Sequence, residues 1–389
     1  MSTQASIMSA DAIRRALTLR DLTDPAQGPH AMQLLVDGME TALAERWGIP
    51  ARRERAHPIV SIEENYDLLL VAADAVAREA RYTRYLSERT VLRTHTSAMV
   101  PPLLQRLAAE PPRDVVLSCP GIVYRRDRID RQSVGEPHQL DLWRVRTVGP
   151  PLDRAHLVEM IETVVEAAMP GHEWRTTPTG HSYTEGGVQI DVRDGEAWIE
   201  IGECGTAHPD VLQSSGLPVP PTSGLAMGLG LDRILMIRKG IDDIRLLRAE
   251  DPRISAQMLD LKPYRAVSAM PPARRDLSVA VASTVAPEDL GDRIRAALAE
   301  EAASVELVEV LSETPYDELP AMARRRLGIR EGQKNLLIRV WIRHLERTLT
   351  DEEANRVRDR IYAAIHEGDE WTWASGDPMW RPLDHGGGD

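Results

Sequence analysis

The chain has 389 residues, 42% of them hydrophobic, and a formal net charge of −13. This length fits two or three domains, and the acidic balance argues against a general nucleic-acid coat while leaving room for local basic patches. Its two cysteines, Cys119 and Cys204, are far apart in sequence, so neither a disulfide framework nor a zinc ribbon is indicated.

Helices are predicted at the start of the chain. Residues 1–27 form a short helical arm that ends in the turn from Asp24 to Gly28. From His30 to Trp47 the apolar residues recur at helical spacing, which indicates a long amphipathic helix. A strand entered through Pro58 follows, over residues 56–60.

Antiparallel strands are predicted in the next part of the chain. Residues 115–123 form a buried strand interrupted at Pro120-Gly121, and residues 140–148 form its antiparallel partner. A helix over residues 151–169 follows. Strands 188–192 and 197–201 are then joined by the turn Arg193-Asp194-Gly195. Antiparallel strands with flanking helices predict an α+β fold and not a doubly wound parallel sheet.

A second unit is predicted to begin near Lys262. Its pattern gives strands near 277–281, 305–311 and 336–342, with helices over 287–303 and 351–366. This order suggests a ferredoxin-like plait. The unit also carries an arginine-rich segment from Met322 to Arg330, which is either solvated charge or a binding patch. The last residues form a flexible tail.

The most informative stretch runs from Gly228 to Arg233, with the sequence GLGLDR, and continues as an amphipathic helix. Glycines let a backbone approach a ligand closely, and a helix start supplies free N–H groups that favour anions. Arg233 adds a permanently charged planar group suited to phosphate. Taken alone, the same pattern also fits ordinary turn chemistry.

Three further segments accompany this run. They are Val91–Ala98 (VLRTHTSA), Gly121–Asp127 (GIVYRRD) and His138–Asp141 (HQLD). Together the four segments resemble the class II aminoacyl-tRNA synthetases, most closely the phenylalanyl branch. The glycine run resembles motif 3, and GIVYRRD with HQLD resembles motif 2. The helix from His30 and the Pro58 strand weakly resemble motif 1, usually a dimer-forming element.

The C-terminal unit carries a resemblance of its own. Tyr264–Leu277 and Arg347–Asn355 resemble the two ends of the ferredoxin-fold anticodon-binding domain, which the single-chain mitochondrial-type enzymes carry behind the catalytic domain. The resemblance implies an N-terminal arm (1–27), a catalytic domain with an antiparallel sheet (28–260), a ferredoxin-fold domain (261–370) and a tail (371–389).

The resemblance implies an enzyme that activates an aromatic amino acid with ATP and Mg²⁺. The amino acid, phenylalanine or a more polar analogue, would become an aminoacyl-adenylate and then be transferred to tRNA. Because charge grows on the phosphates during activation, fixed cations are what the protein must supply. Implied partners are tRNA and the amino acid, with no membrane, and a homodimer through the motif 1 region is one arrangement.

The resemblance also implies roles for individual residues. Arg125 would bind the α-phosphate and Arg233 the γ-phosphate side, and these two are the predicted catalytic residues. Asp127, at the adenine edge, would complete the ATP site with Pro137, Gly228 and Gly230. The predicted amino-acid site comprises His95, Ser97, Gln139, Asp141, His181, Tyr183, Glu203, Cys204 and Ala226. Glu185 and Glu200 are either metal-proximal or exposed strand carboxylates, and His95 taken alone also fits a structural histidine.

Some pocket positions depart from the family pattern. The family's F-P-F wall becomes His181-Ser182-Tyr183, and its small-residue strand G-G-[AC]-G becomes Gly202-Glu203-Cys204-Gly205. Pro137 replaces the phenylalanine expected to stack on adenine, and the chain contains no phenylalanine at all. A buried polar group without a partner costs about 1–3 kcal/mol. His181 and Glu203 therefore either pair with each other or bind a polar substrate.

Two other functions stay open. One is a paralogue that activates a non-standard amino acid for a biosynthetic pathway. The other is a non-catalytic, tRNA-binding regulatory protein, which Pro137 favours and the retained Arg125, Gln139 and Arg233 oppose. The sequence has no apolar run of transmembrane length, and Asp11, Asp21 and Asp24 among the N-terminal arginines do not form a secretory signal. A cytoplasmic protein is expected.

Overall fold

The computed structural model describes residues 7–267 and 271–371. These residues fall into two compact units: unit 1 is assigned Met1–Arg125 and Gly135–Arg265, and unit 2 is assigned Arg126–Val134 and Ala266–Asp389. Residues 126–134, placed in the catalytic domain by the sequence, thus belong to unit 2. The predicted tail lies outside the described residues, apart from Trp371, and the other predicted domain boundaries stay predictions.

Unit 1 combines short and long helices with two sheets. Its helices are α1 (Ala10–Thr18), α2 (Ala31–Trp47), α3 (Ile62–Asn65), α4 (Val100–Ala109), α5 (Arg154–Ala168), α6 (Pro209–Ser214), α7 (Leu231–Lys239) and α8 (Pro252–Ser255). Its strands are β1 (Ala51–Arg53), β2 (Ile59–Ser61), β3 (Thr90–Leu92), β4 (Asp114–Ile122), β5 (His138–Arg146), β6 (Trp174–Pro178), β7 (Thr184–Asp194), β8 (Ala197–Ala207) and β9 (Ser223–Gly230).

The predicted long helix is confirmed as α2. It begins where the His30 side chain accepts the Met32 N–H, and it ends at Gly48, which has a left-handed φ of 68°. The apolar side chains that predicted it, Met32, Leu35, Met39 and Leu43, are all buried. The helix α2 packs against α5 and α7.

Within the described residues, the main sheet has the strand order β1-β4-β5-β9-β8-β7-β6. The pair β1–β4 is parallel and the remaining pairs are antiparallel, which confirms the predicted α+β class. The predicted break at Pro120-Gly121 is wrong, because β4 runs through both residues. β1 ends opposite Ser118, so Pro120 pairs only with β5, and a residue without an N–H is tolerated there.

Unit 2 contains the predicted ferredoxin-like arrangement. Its elements are β10 (Ala273–Ala282), α9 (Pro287–Leu298), β11 (Val305–Pro315), α10 (Ala321–Leu327), β12 (Gln333–Ile342) and α11 (Asp351–Ile365). The described strands form an antiparallel sheet in the order β10-β12-β11. The helix predicted to reach residue 303 ends at Leu298, because a 3₁₀ segment follows. Ile129, from the segment 126–134, lies in this unit's core with Leu277 and Ile338.

Candidate active site

A trough runs along one face of the main sheet, and small residues of β9 form its floor. Gly228 pairs with Asp141 of β5 on one side and with Glu203 of β8 on the other. Directly paired residues point to the same face of a sheet, so the two carboxylates face each other across a glycine. A Cβ added to Gly228 would meet only Asp141 Oδ2, at 3.8 Å, which shows that the floor is open there.

The neighbouring rows bound this opening: the row of Trp143 is closed by buried side chains, and the row of Gly230 is partly exposed. Trp143 and Ala226 form one row, in which Ala226 pairs with Gly205, and Gln139 and Gly230 form the other. One wall therefore consists of three successive inward positions of β5: Gln139, Asp141 and Trp143. The residues in between, such as Leu140 and Leu142, point to the opposite face and are buried there.

The β5 wall provides a receptor for a positively charged group. Asp141 is buried, and its Oδ2 accepts a 2.7 Å hydrogen bond from the Thr96 hydroxyl, while Trp143 Nε1 donates to Oδ1 at 3.3 Å. Burial raises the pKa of Asp141, although hydrogen bonds from Thr96, Ser97 and Trp143 oppose the rise. An ammonium group beside Asp141 would favour the ionised carboxylate.

An aromatic stack continues from Trp143 and ends in a hydrogen-bonded pair, His181 and Glu203. Tyr183 stacks on Trp143 with ring centroids 6.0 Å apart, and His181 stacks on Tyr183 at 5.4 Å. His181 Nε2 is hydrogen-bonded to Glu203, whose other oxygen accepts from the Thr179 hydroxyl at 3.2 Å. This bond raises the pKa of His181 and lowers that of Glu203. Of the two alternatives posed by the sequence, the structure shows the pairing.

Arg125 and Arg233 lie at the end of the trough beyond Asp141. The Arg125 Nε donates to the Thr94 carbonyl at 2.7 Å. Arg233, on the first turn of α7, donates to the Glu200 carbonyl at 2.8 Å. Both guanidinium groups lower the pKa of Glu200, while partial burial and the Glu203 carboxylate raise it more strongly. The positive charges of both arginines thus act on one carboxylate, in line with a shared phosphate site.

His95 lies beside the same cluster. Burial and then the Arg125 charge lower the pKa of His95 to about 3, so its imidazole is neutral at physiological pH. Its Nδ1 is buried and has no hydrogen-bond partner among the described residues. A buried polar atom of this kind favours a ligand contact, in line with the predicted binding role, as does the burial of Ser97 beside Asp141.

Sequence reasoning missed several residues that hold the site together. His138 is fully buried, and its Nδ1 lies 3.1 Å from Asp232 Oδ1. Because His138 precedes Gln139 and Asp232 precedes Arg233, this bond fixes the start of β5 to the start of α7. Thr96 was also missed, although it donates to both Gln139 and Asp141. These residues lie inside the sequence segments that resemble the synthetase motifs, and that position was the signal from which they could have been found.

Some predicted site residues are not brought together. Cys204 pairs with Met227, on the face opposite the trough, and is buried there. Glu185 lies opposite Thr206, six residues along β8 from Glu200, which is roughly 20 Å. Asp127 belongs to unit 2. Pro137 is half-buried, and its carbonyl accepts the Val123 N–H at 2.8 Å.

Two domain families match the chain. The model described as tRNA synthetases class II core domain (F) matches residues 50–258, more than half of the chain. The model described as ferredoxin-fold anticodon binding domain matches residues 268–369. These two matches follow each other along the chain in the order that the sequence motifs predicted.

Curated relatives carry related names. The phenylalanine–tRNA ligase alpha subunit of Prochlorococcus marinus (strain MIT 9313) is 35% identical over 193 residues, which is 50% of this chain and 56% of that protein. The chain thus spans about half the length of that relative. A chloroplastic/mitochondrial phenylalanine–tRNA ligase of Arabidopsis thaliana is 28% identical and covers 80% of this chain and 71% of the relative. A probable mitochondrial phenylalanine–tRNA ligase of Drosophila melanogaster is 24% identical and covers 80% of this chain and 76% of the relative.

A solved structure is also similar. A pyrrolysyl-tRNA synthetase of Desulfitobacterium hafniense superimposes with a TM-score of 0.46 and 19% identity, covering 61% of this chain and 78% of that one.

The expected cytoplasmic location is contradicted. The two relatives that cover 80% of the chain are named chloroplastic/mitochondrial and mitochondrial. The expectation was based on missing secretory and membrane signals, which do not distinguish the cytoplasm from the interior of an organelle. In the part of the chain that the structure describes, every helix is too short or too polar to cross a membrane.

Proposed function

The chain belongs to the family of class II tRNA synthetases with the F-type core domain, and we propose that it activates an aromatic amino acid, phenylalanine or a more polar analogue, with ATP and transfers it to tRNA. One observation carries this proposal. A trough with a buried carboxylate, Asp141, and an aromatic wall leads to two arginines, Arg125 and Arg233. These are receptors for an ammonium group, a side-chain ring and phosphates.

The proposed chemistry follows from these positions. The ammonium group would be held by Asp141, and the neutral His95 and buried Ser97 would face the amino-acid backbone. A carboxylate oxygen of the amino acid attacks the α-phosphorus of ATP, and the bond to pyrophosphate breaks. Arg125 and Arg233 would stabilise the negative charge that grows on the phosphates, which is the part of the barrier a fixed cation lowers.

Mg²⁺ is proposed as the metal. Hard carboxylate oxygens suit this ion, which is commonly bound through one or two carboxylates together with substrate phosphates. Glu200, whose carbonyl accepts from Arg233 and on whose carboxylate both arginine charges act, fits this role. Glu185, which lies far along β8 from Glu200, does not fit the same ion. When bound, the ion would neutralise phosphate charge.

Transfer to tRNA is supported by unit 2. The ferredoxin-fold anticodon-binding match covers residues 268–369. The last turn of α10 carries Arg324, Arg325 and Arg326, and such a basic cluster favours phosphate backbones. A homodimer through the motif 1 region, α2 and the strand after Pro58, is part of the proposal, and sedimentation of the full chain would test it.

Amino-acid-dependent exchange of labelled pyrophosphate into ATP tests activation. We expect exchange by the full chain, and Arg233→Ala should lower it by about 10²–10³-fold, the cost of removing one donor that stabilises transition-state charge. Arg193→Ala, in the exposed β7–β8 turn, is the matched control and should exchange normally. Exchange by Arg233→Ala at the wild-type rate would refute the phosphate-site assignment. A chain that binds tRNA but exchanges with no amino acid would be the non-catalytic alternative.

A further inference from the structure

The hydrogen-bonded pair of His181 and Glu203 points to a particular class of amino acid. On the basis of the proposed function, we propose that the substrate is an aromatic amino acid with a hydrogen-bonding substituent, a hydroxyl or amino group, on its ring. The His181–Glu203 pair would recognise that substituent. The pair is thus proposed as a specificity-determining element of this site, and four observations support it.

The first observation is position. Glu203 shares a row of the sheet with Asp141, and only Gly228 lies between them. With strands about 4.8 Å apart, the backbones of β5 and β8 are separated by roughly 10 Å. That gap accommodates one aromatic side chain lying over Gly228, which is partly exposed. A ligand ammonium at Asp141 therefore places the ring within reach of Glu203.

The second observation is how the pair is built into the wall. Trp143, Tyr183 and His181 form a continuous stack, and the last ring of the stack carries the bond to Glu203. An aromatic substrate in contact with this stack therefore meets the pair at its edge. The sequence resemblance leads one to expect apolar side chains and a glycine at these positions.

The third observation is that the Glu203 carboxylate can accept further hydrogen bonds. Each carboxylate oxygen of Glu203 can accept two hydrogen bonds, and the structure gives one partner to each, Thr179 and His181. The side chains of His181 and Glu203 remain 35% and 25% exposed. The pair is therefore open to a ligand and still able to accept a proton donor.

The fourth observation is that covering the His181–Glu203 pair with an unsubstituted ring would cost binding free energy. A phenyl ring removes water from polar groups and returns no hydrogen bond, so each covered group is left unsatisfied at a cost in binding free energy. A ring hydroxyl or amino group donates to the carboxylate and avoids that cost. Sites built around hydrogen-bonding groups reject analogues that lack them, so this wall should select against phenylalanine.

Pyrophosphate exchange with a panel of amino acids tests the proposal on the full chain. The panel is phenylalanine, tyrosine, 3-hydroxyphenylalanine, 3-aminophenylalanine and 4-aminophenylalanine, and it separates hydroxyl from amino substituents and the two ring positions. We expect kcat/KM for at least one substituted analogue to exceed that for phenylalanine by about 5- to 150-fold, the factor that corresponds to about 1–3 kcal/mol.

Variants separate recognition from a structural role of the pair. Glu203→Gly should lower the ratio of substituted analogue to phenylalanine about tenfold, mainly by raising kcat/KM for phenylalanine. Glu196→Gly, in the exposed turn of the same hairpin, should leave the ratio unchanged. His181→Phe is the second variant, should Glu203→Gly fold poorly, and thermal unfolding of each variant reports on folding separately from selectivity.

The outcomes are distinct. A wild-type chain that prefers phenylalanine over every substituted analogue would overturn the proposal and leave the proposed function intact. If both variants keep the wild-type ratio of kcat/KM for the substituted analogue to kcat/KM for phenylalanine, the pair only connects the loop before β7 to β8. A chain that exchanges with no amino acid at all would overturn the proposed function and this proposal together.

Discussion

Asp141 and Glu203 are two carboxylates that face each other across Gly228, yet their surroundings give them opposite properties. Burial raises the pKa of Asp141, whereas the bond to His181 lowers that of Glu203. Asp141 is therefore a carboxylate that a ligand cation stabilises, and Glu203 is already stabilised by the protein. This difference is why Asp141 is assigned to the ammonium group and Glu203 to a neutral ring substituent.

Asp141→Asn should lower kcat/KM for the amino acid by about 10–150-fold, because a hydrogen bond to a charged group contributes about 1.5–3 kcal/mol. The KM for ATP should not change. Asp194→Asn, in the exposed β7–β8 turn, is the matched control. Equal kcat/KM values for Asp141→Asn and the wild type in pyrophosphate exchange would contradict the ammonium assignment.

The raised pKa of Asp141 also predicts a pH dependence. In the free enzyme the carboxylate protonates as the pH falls through this raised pKa, so kcat/KM for the amino acid should fall on the acidic side. Asp141→Asn should lack that decline. A carboxyl group whose folded pKa exceeds its unfolded pKa destabilises the folded state at pH values above both. The Asn variant should therefore melt at or above the wild-type temperature at pH 8, which thermal unfolding measures.

At the scale of single elements, β9 determines the shape of the site. Its glycines Gly228 and Gly230 are partly exposed and place no side chain in the trough, and its last residue leads directly into α7 and Arg233. The neighbouring glycine of β8, Gly202, has a different reason for lacking a side chain. A Cβ there would overlap the Gly228 carbonyl and would lie 3.1 Å from the Leu229 Cα.

These two glycines give a matched pair of substitutions. Gly228→Ala should fold normally, because its Cβ would meet only Asp141, at 3.8 Å, but it should raise the KM for the amino acid by narrowing the floor. Gly202→Ala should destabilise the protein by about 1–3 kcal/mol through overpacking. Thermal unfolding and pyrophosphate exchange distinguish the two effects. A destabilised Gly228→Ala with unchanged KM would contradict the trough.

The elements also show how much the sequence could predict. Periodicity was sufficient for α2 and for the ferredoxin-like unit, because each buries one face. A continuous apolar run predicted the β4–β5 pair, which is buried on both faces. Strand alternation could have excluded Cys204, since consecutive strand residues face opposite sides. The turn at 193–195 sets the register of β7 with β8 and could have separated Glu185 from Glu200. The bond from His138 to Asp232 could not be predicted, because it joins residues 94 positions apart.

At the scale of the whole molecule, we propose that unit 1 activates the amino acid and that unit 2 binds tRNA. Unit 1 contains the trough and both proposed catalytic arginines, Arg125 and Arg233, and unit 2 contains the anticodon-binding match. The segment 126–134 is the exception, because its Ile129 packs in the core of unit 2 and Arg126 lies 3.2 Å from Asp292. Removing unit 2 therefore removes the packing partners of this segment.

A chain truncated after Arg265 should keep amino-acid activation and lose tRNA charging. This end point keeps the Tyr264 N–H bond to Lys239 and the Arg265 N–H bond to Gln257 within unit 1. Asp292→Asn in the full chain is the control. It removes a partner of Arg126 but keeps unit 2, so tRNA charging should remain. Undiminished charging by the truncated chain would show that unit 2 has another role.

Direct detection of the aminoacyl-adenylate tests the central claim most closely. The full chain is mixed with α-labelled ATP, inorganic pyrophosphatase and each amino acid of the panel, and the enzyme-bound products are separated. We expect labelled aminoacyl-adenylate only when an aromatic amino acid is present, and none with Arg125→Ala. Failure of every aromatic amino acid to give an adenylate, or adenylate formation by Arg125→Ala at the wild-type rate, would contradict the account.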